Sequence, residues 1–180
     1  MCCCPFFFEP LDTTVAPGSA GKDEKTLNNM TVKRNEDGWT VIRACADTGA
    51  EMSACARSVC PDRDVFPTAS SKAGRNFTGA DGNPIENEGE QYYPSYSPEG
   101  VYTLQRWSTA KTSRPLLSIS EECDKGQLAI FGSGGGALIN LQTRQVRHLP
   151  RVGGTYEAEM WIPSREMEAA ALSGFTRQDW

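Results

Sequence analysis

The sequence has little positive charge and no long apolar run. Its 18 lysines and arginines are outnumbered by 23 aspartates and glutamates, and the formal net charge is -5. Because a phosphate backbone is bound mainly by clustered basic side chains, we expect no nucleic-acid binding by this domain. No apolar segment approaches the roughly 20 residues that a membrane-spanning helix needs, so we expect no membrane partner. The 180 residues, 38% of them hydrophobic, suit one soluble domain.

Histidine is scarce, and the cysteines follow no regular spacing. His148 is the one histidine, and the seven cysteines are an odd number. We therefore expect no complete disulfide scaffold, and a reducing, cytoplasmic compartment fits better. Cys55 and Cys60 lie close together in the sequence, but no second pair completes a tetrahedral metal site. We predict neither a metal nor any other cofactor.

The chain divides into a leader and a β-rich body. Residues 1–29 are rich in Pro, Gly, Ser, Thr and charge, which predicts a flexible leader. From Met30 onward two β-rich runs flank the Asp-Gly of residues 37–38, which is a hairpin signal. TYEAEMWI, residues 155–162, alternates cleanly. Further strands are predicted in EGVYTLQRWSTA (99–110), in the short, buried QLAIF (127–131), and in the paired segments ALINL (137–141) and RQVRHL (144–149).

Two short helices are predicted within this β-rich body. In SISEECDKG, residues 118–126, Ser118 and Glu121 have the spacing of a capping box, and Gly126 can end the helix. In SREMEAAALSG, residues 164–174, Ser164 is the expected N-cap and Gly174 the expected stop. Short strands separated by glycine turns, with one internal helix, predict an all-β fold with a small, barrel-like domain.

The segment CADTGAE, residues 45–51, places Asp47 just after a predicted strand. Two carboxylates about 3 Å apart share one proton, so one can draw a proton from water while the other donates to a peptide carbonyl. Thr48 can tie the loop by a hydrogen bond, and Gly49 permits a special backbone angle and close approach. Ala50 is too small to obstruct that approach. The same residues also suit an ordinary surface turn, so both interpretations stay open.

Three segments, taken in order, resemble the protease of copia-type retrotransposon polyproteins, which is a retropepsin. ACADTGAE, residues 44–51, resembles the catalytic loop. FTGADGNPIENEGE, residues 77–90, resembles the flap region. RPLLSISEECDKGQLAIF, residues 114–131, resembles the LLS segment, the helix after it and the turn into a strand. The likeness covers residues 30–142, so residues 143–180 are assigned to a C-terminal extension with strands and a short helix.

The resemblance implies an aspartic endopeptidase with the acid protease fold, a small closed β-barrel that supplies half of an active site. Asp47 would be the catalytic carboxylate, Thr48 the hydroxyl that locks two loops together, and Gly49 the close-approach position. Leu116, Leu117 and Ser118 would pack beneath the active site. The residues that would contact the substrate are Ala50, the flap tip Gly79, Ala80, Asp81 and Gly82, and the following Ile85.

The chain has a single Asp-Thr-Gly, so the resemblance implies that the second carboxylate comes from a second copy. The expected partner is therefore a symmetric homodimer mate, and the expected substrate is an extended peptide within a polyprotein. The alternative is a catalytically inactive or domesticated retropepsin-like fold that serves as a dimerisation or interaction module.

Other motifs receive simpler interpretations. GSGGG, residues 132–136, lacks the Lys-Ser or Lys-Thr of a phosphate-binding loop and is predicted to be a hairpin turn. QYYPSYSPEG, residues 91–100, lacks the nearby positive charge of a base-stacking surface and is predicted to be an irregular edge or loop. His148 has no serine or cysteine nucleophile in a matching motif.

Overall fold

The computed structural model describes residues 33–34, 38–79 and 81–174. The predicted leader, residues 1–29, lies outside these residues. The helices are α1 (Ala69–Lys72), α2 (Ile119–Asp124) and α3 (Arg165–Gly174), with one 3-10 turn at Arg57–Val59. The strands are β1 (Lys33–Arg34), β2 (Thr40–Asp47), β3 (Ala54–Cys55), β4 (Phe77–Thr78), β5 (Pro84–Ile85), β6 (Asn87–Tyr96), β7 (Tyr102–Ala110), β8 (Leu116–Ser118), β9 (Gln127–Gly132), β10 (Gly135–Asn140), β11 (Val146–Leu149), β12 (Arg151–Val152) and β13 (Thr155–Ile162).

Six of these strands form a closed β-barrel in the order β2-β8-β3-β7-β6-β13, and β13 pairs back onto β2. Two of the neighbouring pairs, β2–β8 and β3–β7, are parallel. The prediction of a mostly β fold with a small barrel is confirmed. Antiparallel pairing of β1 with β2 also confirms the predicted N-terminal hairpin. Closure removes most of the exposed strand edges that would otherwise invite pairing with other chains.

The strand β13 lies in the segment assigned to a C-terminal extension. It pairs with β2 over six residues, from Glu157 opposite Cys45 to Ile162 opposite Thr40. A strand from beyond residue 142 therefore closes the barrel, so the extension is structurally continuous with the predicted protease domain. Local sequence patterns cannot show this pairing, because it joins residues more than a hundred positions apart.

The barrel core confirms the predicted alternation of β13. Ala158, Met160 and Ile162 are buried, and Tyr156 packs against the same cluster. The largest fully buried side chains include Trp107 and Tyr93 from the long β6–β7 hairpin. Burial of apolar surface of this kind is the main favourable term in folding. The core therefore depends on strands drawn from the whole described chain.

Both predicted helices form, and each begins at its predicted cap. Ser118 Oγ accepts a hydrogen bond from Glu121 N at 3.2 Å, and Ser164 Oγ accepts one from Met167 N at 3.2 Å. The single-turn helix α1 was not predicted. Thr68 and Ser71 form its capping box, with serine in place of the usual Glu or Gln. With ten residues α3 is the longest described helix, and none of the described helices is long and apolar enough to cross a membrane.

A second, three-stranded sheet has the order β11-β10-β9. It confirms the predicted pairing of ALINL with RQVRHL and the hairpin turn at GSGGG, where Gly132 lies opposite Gly135. The predicted burial of QLAIF is wrong, because Leu128 and Ile130 are about half exposed. Leu128 and Ile130 are two residues apart and share one face of β9, and this face meets solvent.

The segment QYYPSYSPEG was predicted to be irregular, and this prediction is wrong. Its first six residues are the second half of β6 and pair regularly with β7 up to Tyr96 opposite Tyr102. Pro94 has no N–H, so its pair with Leu104 is a non-hydrogen-bonded position of the ladder, where proline does no harm. The buried alternation of Gln91, Tyr93 and Ser95 outweighs the local proline signal.

Candidate active site

Asp47 is the last residue of β2, and the loop that follows it folds back onto its carboxylate. Gly49 N donates to Asp47 Oδ1 at 2.8 Å, and Ala50 N donates to the same oxygen at 3.2 Å. The side chain is half-buried, and no described group donates to Oδ2. One carboxylate oxygen is therefore fixed by the backbone, and the other is left for a proton or a water molecule.

The loop after Asp47 is tied to the start of α2. Ser118 lies opposite Asp47 in the parallel β2–β8 pair. Its hydroxyl donates to Ala50 O at 2.7 Å, while its backbone N–H donates to Ser53 Oγ at 3.1 Å. Ser120 Oγ also reaches Ala50 O, at 3.3 Å. The loop is therefore anchored at both Ala50 and Ser53.

A second connection joins the same loop to the β6–β7 hairpin. Glu121 accepts a hydrogen bond from Ser53 N at 2.8 Å and pairs with Arg106. Burial raises the pKa of Glu121, but the hydrogen bonds from Ser53 and Arg106 outweigh burial and hold the pKa below its ordinary value. Glu121 therefore remains ionised and holds the loop at Ser53, while Ser118 holds it at Ala50.

Thr48 and Gly49 are both exposed beside the carboxylate. No described hydrogen bond involves the Thr48 hydroxyl, which leaves it available to a second molecule. The special backbone angle predicted for Gly49 is not observed, because its φ is not positive. A Cβ built on Gly49 would lie 3.4 Å from Asp47 Oδ1, in ordinary van der Waals contact, and the close approach of a second chain or a substrate stays a prediction.

The predicted flap forms a separate two-stranded hairpin of β4 and β5. Gly79 N donates to Asn83 O at 2.8 Å, and Gly82 adopts a φ of +80° that favours glycine. Asp81 accepts from Asn83 N at 3.0 Å, and these hydrogen bonds lower its pKa. Ile85 is half-buried beside Gly79. Asp81 thus acts as a turn residue.

The structure brings together some of the predicted site residues and not others. Asp47, Gly49 and Ala50 meet the LLS segment at Ser118, and Leu117 is buried beside Ala46 in the core. The hairpin that carries the flap residues belongs to its own sheet, and its hydrogen bonds join its own two strands. Ala80, the remaining predicted flap residue, lies outside the described residues.

Three residues that hold the loop were not predicted to do so from the sequence. They are Ser53, Ser120 and Glu121. Glu121 was assigned only to the helix cap, but its side chain turns toward Ser53 and Arg106. The only local signal for Ser120 is its position, two residues after Ser118, which places two hydroxyl groups close together. No local signal points to Ser53, because its partners are more than fifty residues away.

Other candidates for chemistry are buried or already paired. Burial raises the pKa of Cys55 to about 12, against a hydrogen bond with Tyr93 that lowers it. Burial likewise raises the pKa of Cys60 to about 12. His148 Nδ1 lies 2.7 Å from Glu99 Oε1. No group of three or more His, Cys, Asp or Glu side chains within the described ranges could hold a metal. Neither thiol suits nucleophilic catalysis.

Comparison of the chain with protein-family profiles, with curated proteins and with solved structures found no significant match in any of the three. The function is therefore inferred from the residues and their geometry.

Proposed function

We propose that the chain is one subunit of a retropepsin-like aspartic endopeptidase, which cleaves peptide bonds in a polyprotein as a homodimer. The observation that carries this proposal is the environment of Asp47. The loop N–H groups of Gly49 and Ala50 hold Oδ1, Oδ2 has no described donor, and Thr48 is exposed alongside.

The held carboxylate suits water activation. Its two backbone donors fix the orientation before any substrate arrives, so little reorganisation accompanies the reaction. The ionised Asp47 of one copy takes a proton from water as the water oxygen attacks the peptide carbonyl carbon. The protonated Asp47 of the other copy donates its proton to the carbonyl oxygen. The carboxyl that took the water proton then passes it to the amide nitrogen, the C–N bond breaks, and one hydroxyl of the new carboxylic acid returns its proton to the other carboxylate.

Dimerisation is part of the proposal because one chain provides one such acid. Thr48 and Gly49 are exposed in the single chain, as residues at a contact between two copies must be. In a symmetric dimer the two loops would face each other across the two-fold axis. The anchoring of each loop by Ser118 and Glu121 would then keep the two carboxylates at a fixed separation.

The test is cleavage of a polyprotein-derived peptide library by the full chain over a range of protein concentrations. We expect specific activity to rise with concentration, as a dimer requires, and a statine-type inhibitor to abolish it. Asp47→Asn should lower activity by at least about a hundredfold, since acid–base catalysis is lost. The asparagine oxygen can still accept both loop N–H groups, so this variant should fold normally.

Asp124→Asn is the matched control, because Asp124 is an exposed aspartate at the end of α2. It carries the same change of charge and should leave cleavage unaltered. If wild type and Asp47→Asn are equally silent while both dimerise, the interaction module is the better interpretation. If Asp47→Asn cleaves as well as wild type, the aspartic mechanism is wrong.

A further inference from the structure

The strand β9 has an outer edge that no described strand covers. It is the last strand of the β11-β10-β9 sheet, and among the described strands it pairs with β10 alone. Proteins usually protect such an edge from other chains with a charged side chain, a proline or a bulge. The sequence QLAIFG of β9 has neither a charged residue nor a proline, and its register with β10 is unbroken. The β9 edge therefore lacks the usual protection.

The pairing of β9 with β10 shows which backbone groups point outward. Asn140 N donates to Gln145 O at 2.9 Å, so the backbone of Asn140 faces away from β9. Its pair with Gln127 is therefore non-hydrogen-bonded, and such pairs recur at every second residue of an antiparallel ladder. The N–H and C=O groups of Gln127, Ala129 and Phe131 thus point away from β10, and no described hydrogen bond uses them. These six groups require an extended chain as their partner.

The opposite edge of the same sheet is covered. In β11 the N–H of His148 donates to Glu99 Oε1 at 3.1 Å, and the ring Nδ1 lies 2.7 Å from the same oxygen. A strand added at this edge would have to displace Glu99. Association through β9 would therefore join two copies and stop, since the sheet has no second open edge through which it could grow.

The β9 edge is complementary to a second copy of itself. In an antiparallel pair centred on Ala129, this small residue lies opposite Ala129 of the second copy. The other outward residues, Gln127 and Phe131, then lie opposite each other, so all the outward N–H and C=O groups find partners. Because β9 carries no charge, the two-fold axis brings no like charges together within the pair.

The exposed side chains of β9 favour the same partner. Leu128 and Ile130 are 46% and 49% exposed and share one face of the strand. In the register centred on Ala129, Leu128 lies opposite Ile130 of the second copy in a non-hydrogen-bonded pair, where side chains lie closest. Apolar cross-strand contacts of this kind stabilise a sheet. A polar peptide could fill the hydrogen bonds of the edge but would not make these contacts.

We propose that β9 pairs antiparallel with β9 of a second copy, so that two three-stranded sheets become one six-stranded sheet. This inference rests on the proposed function, because it assigns a contact that holds the two half-sites together. Ser118, opposite Asp47, begins α2, and β9 follows that helix after a turn at Lys125 and Gly126. The β9 pair is thus connected to each Asp47 loop through one short helix and restrains the separation of the two loops.

The experiment uses two doubly charged variants of the full chain, Leu128→Lys/Ile130→Lys and Leu128→Glu/Ile130→Glu. Each variant alone places like charges opposite one another in the proposed pair. Its dimer dissociation constant, measured by sedimentation equilibrium, should rise at least about tenfold, because like charges directly opposite destabilise a sheet. An equimolar mixture should associate as a heterodimer, since each new lysine then faces a new glutamate.

Leu104→Lys/Leu141→Lys is the matched control, because both leucines are 58% exposed and lie outside β9. It adds the same charge and should dimerise like wild type. Urea unfolding of every variant checks that the fold is retained.

Ala129→Pro tests the backbone pairing without a change of charge. The N–H that it removes points away from β10, so the sheet within one copy should be retained, as edge strands allow. The dimer loses the two central hydrogen bonds, and its dissociation constant should rise about tenfold. A normal dimer of this variant would show that the two copies do not pair through the β9 backbone.

The pairing is also overturned if wild type stays monomeric, if the charged variants lose no more affinity than the control, or if their mixture forms no heterodimer. Cleavage of the peptide library by the same proteins separates this inference from the proposed function. Charged variants that dimerise and cleave like wild type would refute the β9 contact and leave the protease proposal intact. Charged variants that dimerise only when mixed, with no cleavage by the mixture or by wild type, would support the β9 contact and refute the protease.

Discussion

Ser118 Oγ donates a 2.7 Å hydrogen bond to the carbonyl oxygen of Ala50. The same Oγ accepts a hydrogen bond from the backbone N–H of Glu121, in the first turn of α2. One fully buried hydroxyl thus fixes both the loop after Asp47 and the start of the helix. The parallel pairing of β2 with β8 makes this possible, because it brings their last residues, Asp47 and Ser118, to the same end of the barrel.

Ser118→Ala should lower the free energy of unfolding by about 1–3 kcal/mol, since it removes an N-cap and leaves a loop carbonyl without its best donor. Urea unfolding followed by circular dichroism measures the change. Ser120→Ala is the control, because Ser120 is exposed and its bond to Ala50 is longer, at 3.3 Å. Equal losses of stability in the two variants would contradict the role assigned to Ser118.

Glu122 connects α2 to the small sheet and should be far more sensitive than a surface glutamate. Its carboxylate is fully buried and pairs with Lys125 at 2.7 Å and with the buried Arg147. Glu122→Gln leaves Arg147 without a charged partner and should cost about 3–5 kcal/mol in unfolding experiments. Glu159→Gln, which breaks the exposed pair with Arg43, should cost no more than about 1 kcal/mol. A small loss of stability for Glu122→Gln would show that Arg147 can reach solvent.

The pair formed by Glu99 and His148 should make stability depend on acidic pH. Burial raises the pKa of Glu99, but hydrogen bonds from Ser97 and His148 outweigh burial and lower it from 4.5 to about 2. A carboxylate with a lowered folded-state pKa adds stability above its unfolded pKa, and this stability is lost as the pH falls toward the folded value. Between pH 4.5 and 2, wild type should therefore lose more thermal stability than Glu99→Gln.

Thermal unfolding of both proteins across that pH range measures the difference. Glu86→Gln is a suitable control, because Glu86 is exposed and has no ion pair among the described residues. It should follow the wild-type pH profile. If Glu99→Gln also follows that profile, the hydrogen bonds to Glu99 do not contribute to stability.

Cysteine labelling should separate buried from exposed thiols. Cys55 and Cys60 are 0% and 3% exposed, and burial raises the pKa of each to about 12. At about pH 8 they should resist iodoacetamide in the folded protein and react after denaturation, whereas the exposed Cys123 should react in both states. Peptide mapping by mass spectrometry distinguishes the sites. Rapid labelling of Cys55 without denaturant would indicate that the barrel opens locally.

Local patterns predicted those parts of the fold that depend on neighbouring residues. The caps at Ser118 and Ser164 and the alternation of Ala158, Met160 and Ile162 are local, and all are confirmed. Barrel closure by β13 and the Ser53–Glu121 bond depend on contacts between distant segments. Periodicity and capping rules contain no information about such contacts.

The same limit explains the two strand errors. Burial of β9 was inferred from its apolar residues, but burial depends on what covers a strand, and the face with Leu128 and Ile130 is about half exposed. Pro94 and the tyrosines of β6 suggested irregular structure, yet a long hairpin accommodates proline at a non-hydrogen-bonded position. In the candidate site, the resemblance implied that Ser118 lies near Asp47, and the parallel β2–β8 pair places the two residues opposite each other.

Thr48 offers the sharpest test of whether two copies meet at Asp47. If its exposed hydroxyl bonds across the two-fold axis, Thr48→Val removes one hydrogen bond from each copy without changing the shape of the side chain. At about 1 kcal/mol for each bond, the dimer dissociation constant should rise roughly tenfold or more. Sedimentation equilibrium measures this constant, and Thr48→Ser, which keeps the hydroxyl, should stay near wild type.

Because Asp47→Asn preserves the loop bonds to Gly49 and Ala50, it should dimerise normally. If Thr48→Val dimerises like wild type, the two copies do not meet at Thr48, and the proposed pairing of the two Asp47 carboxylates is contradicted.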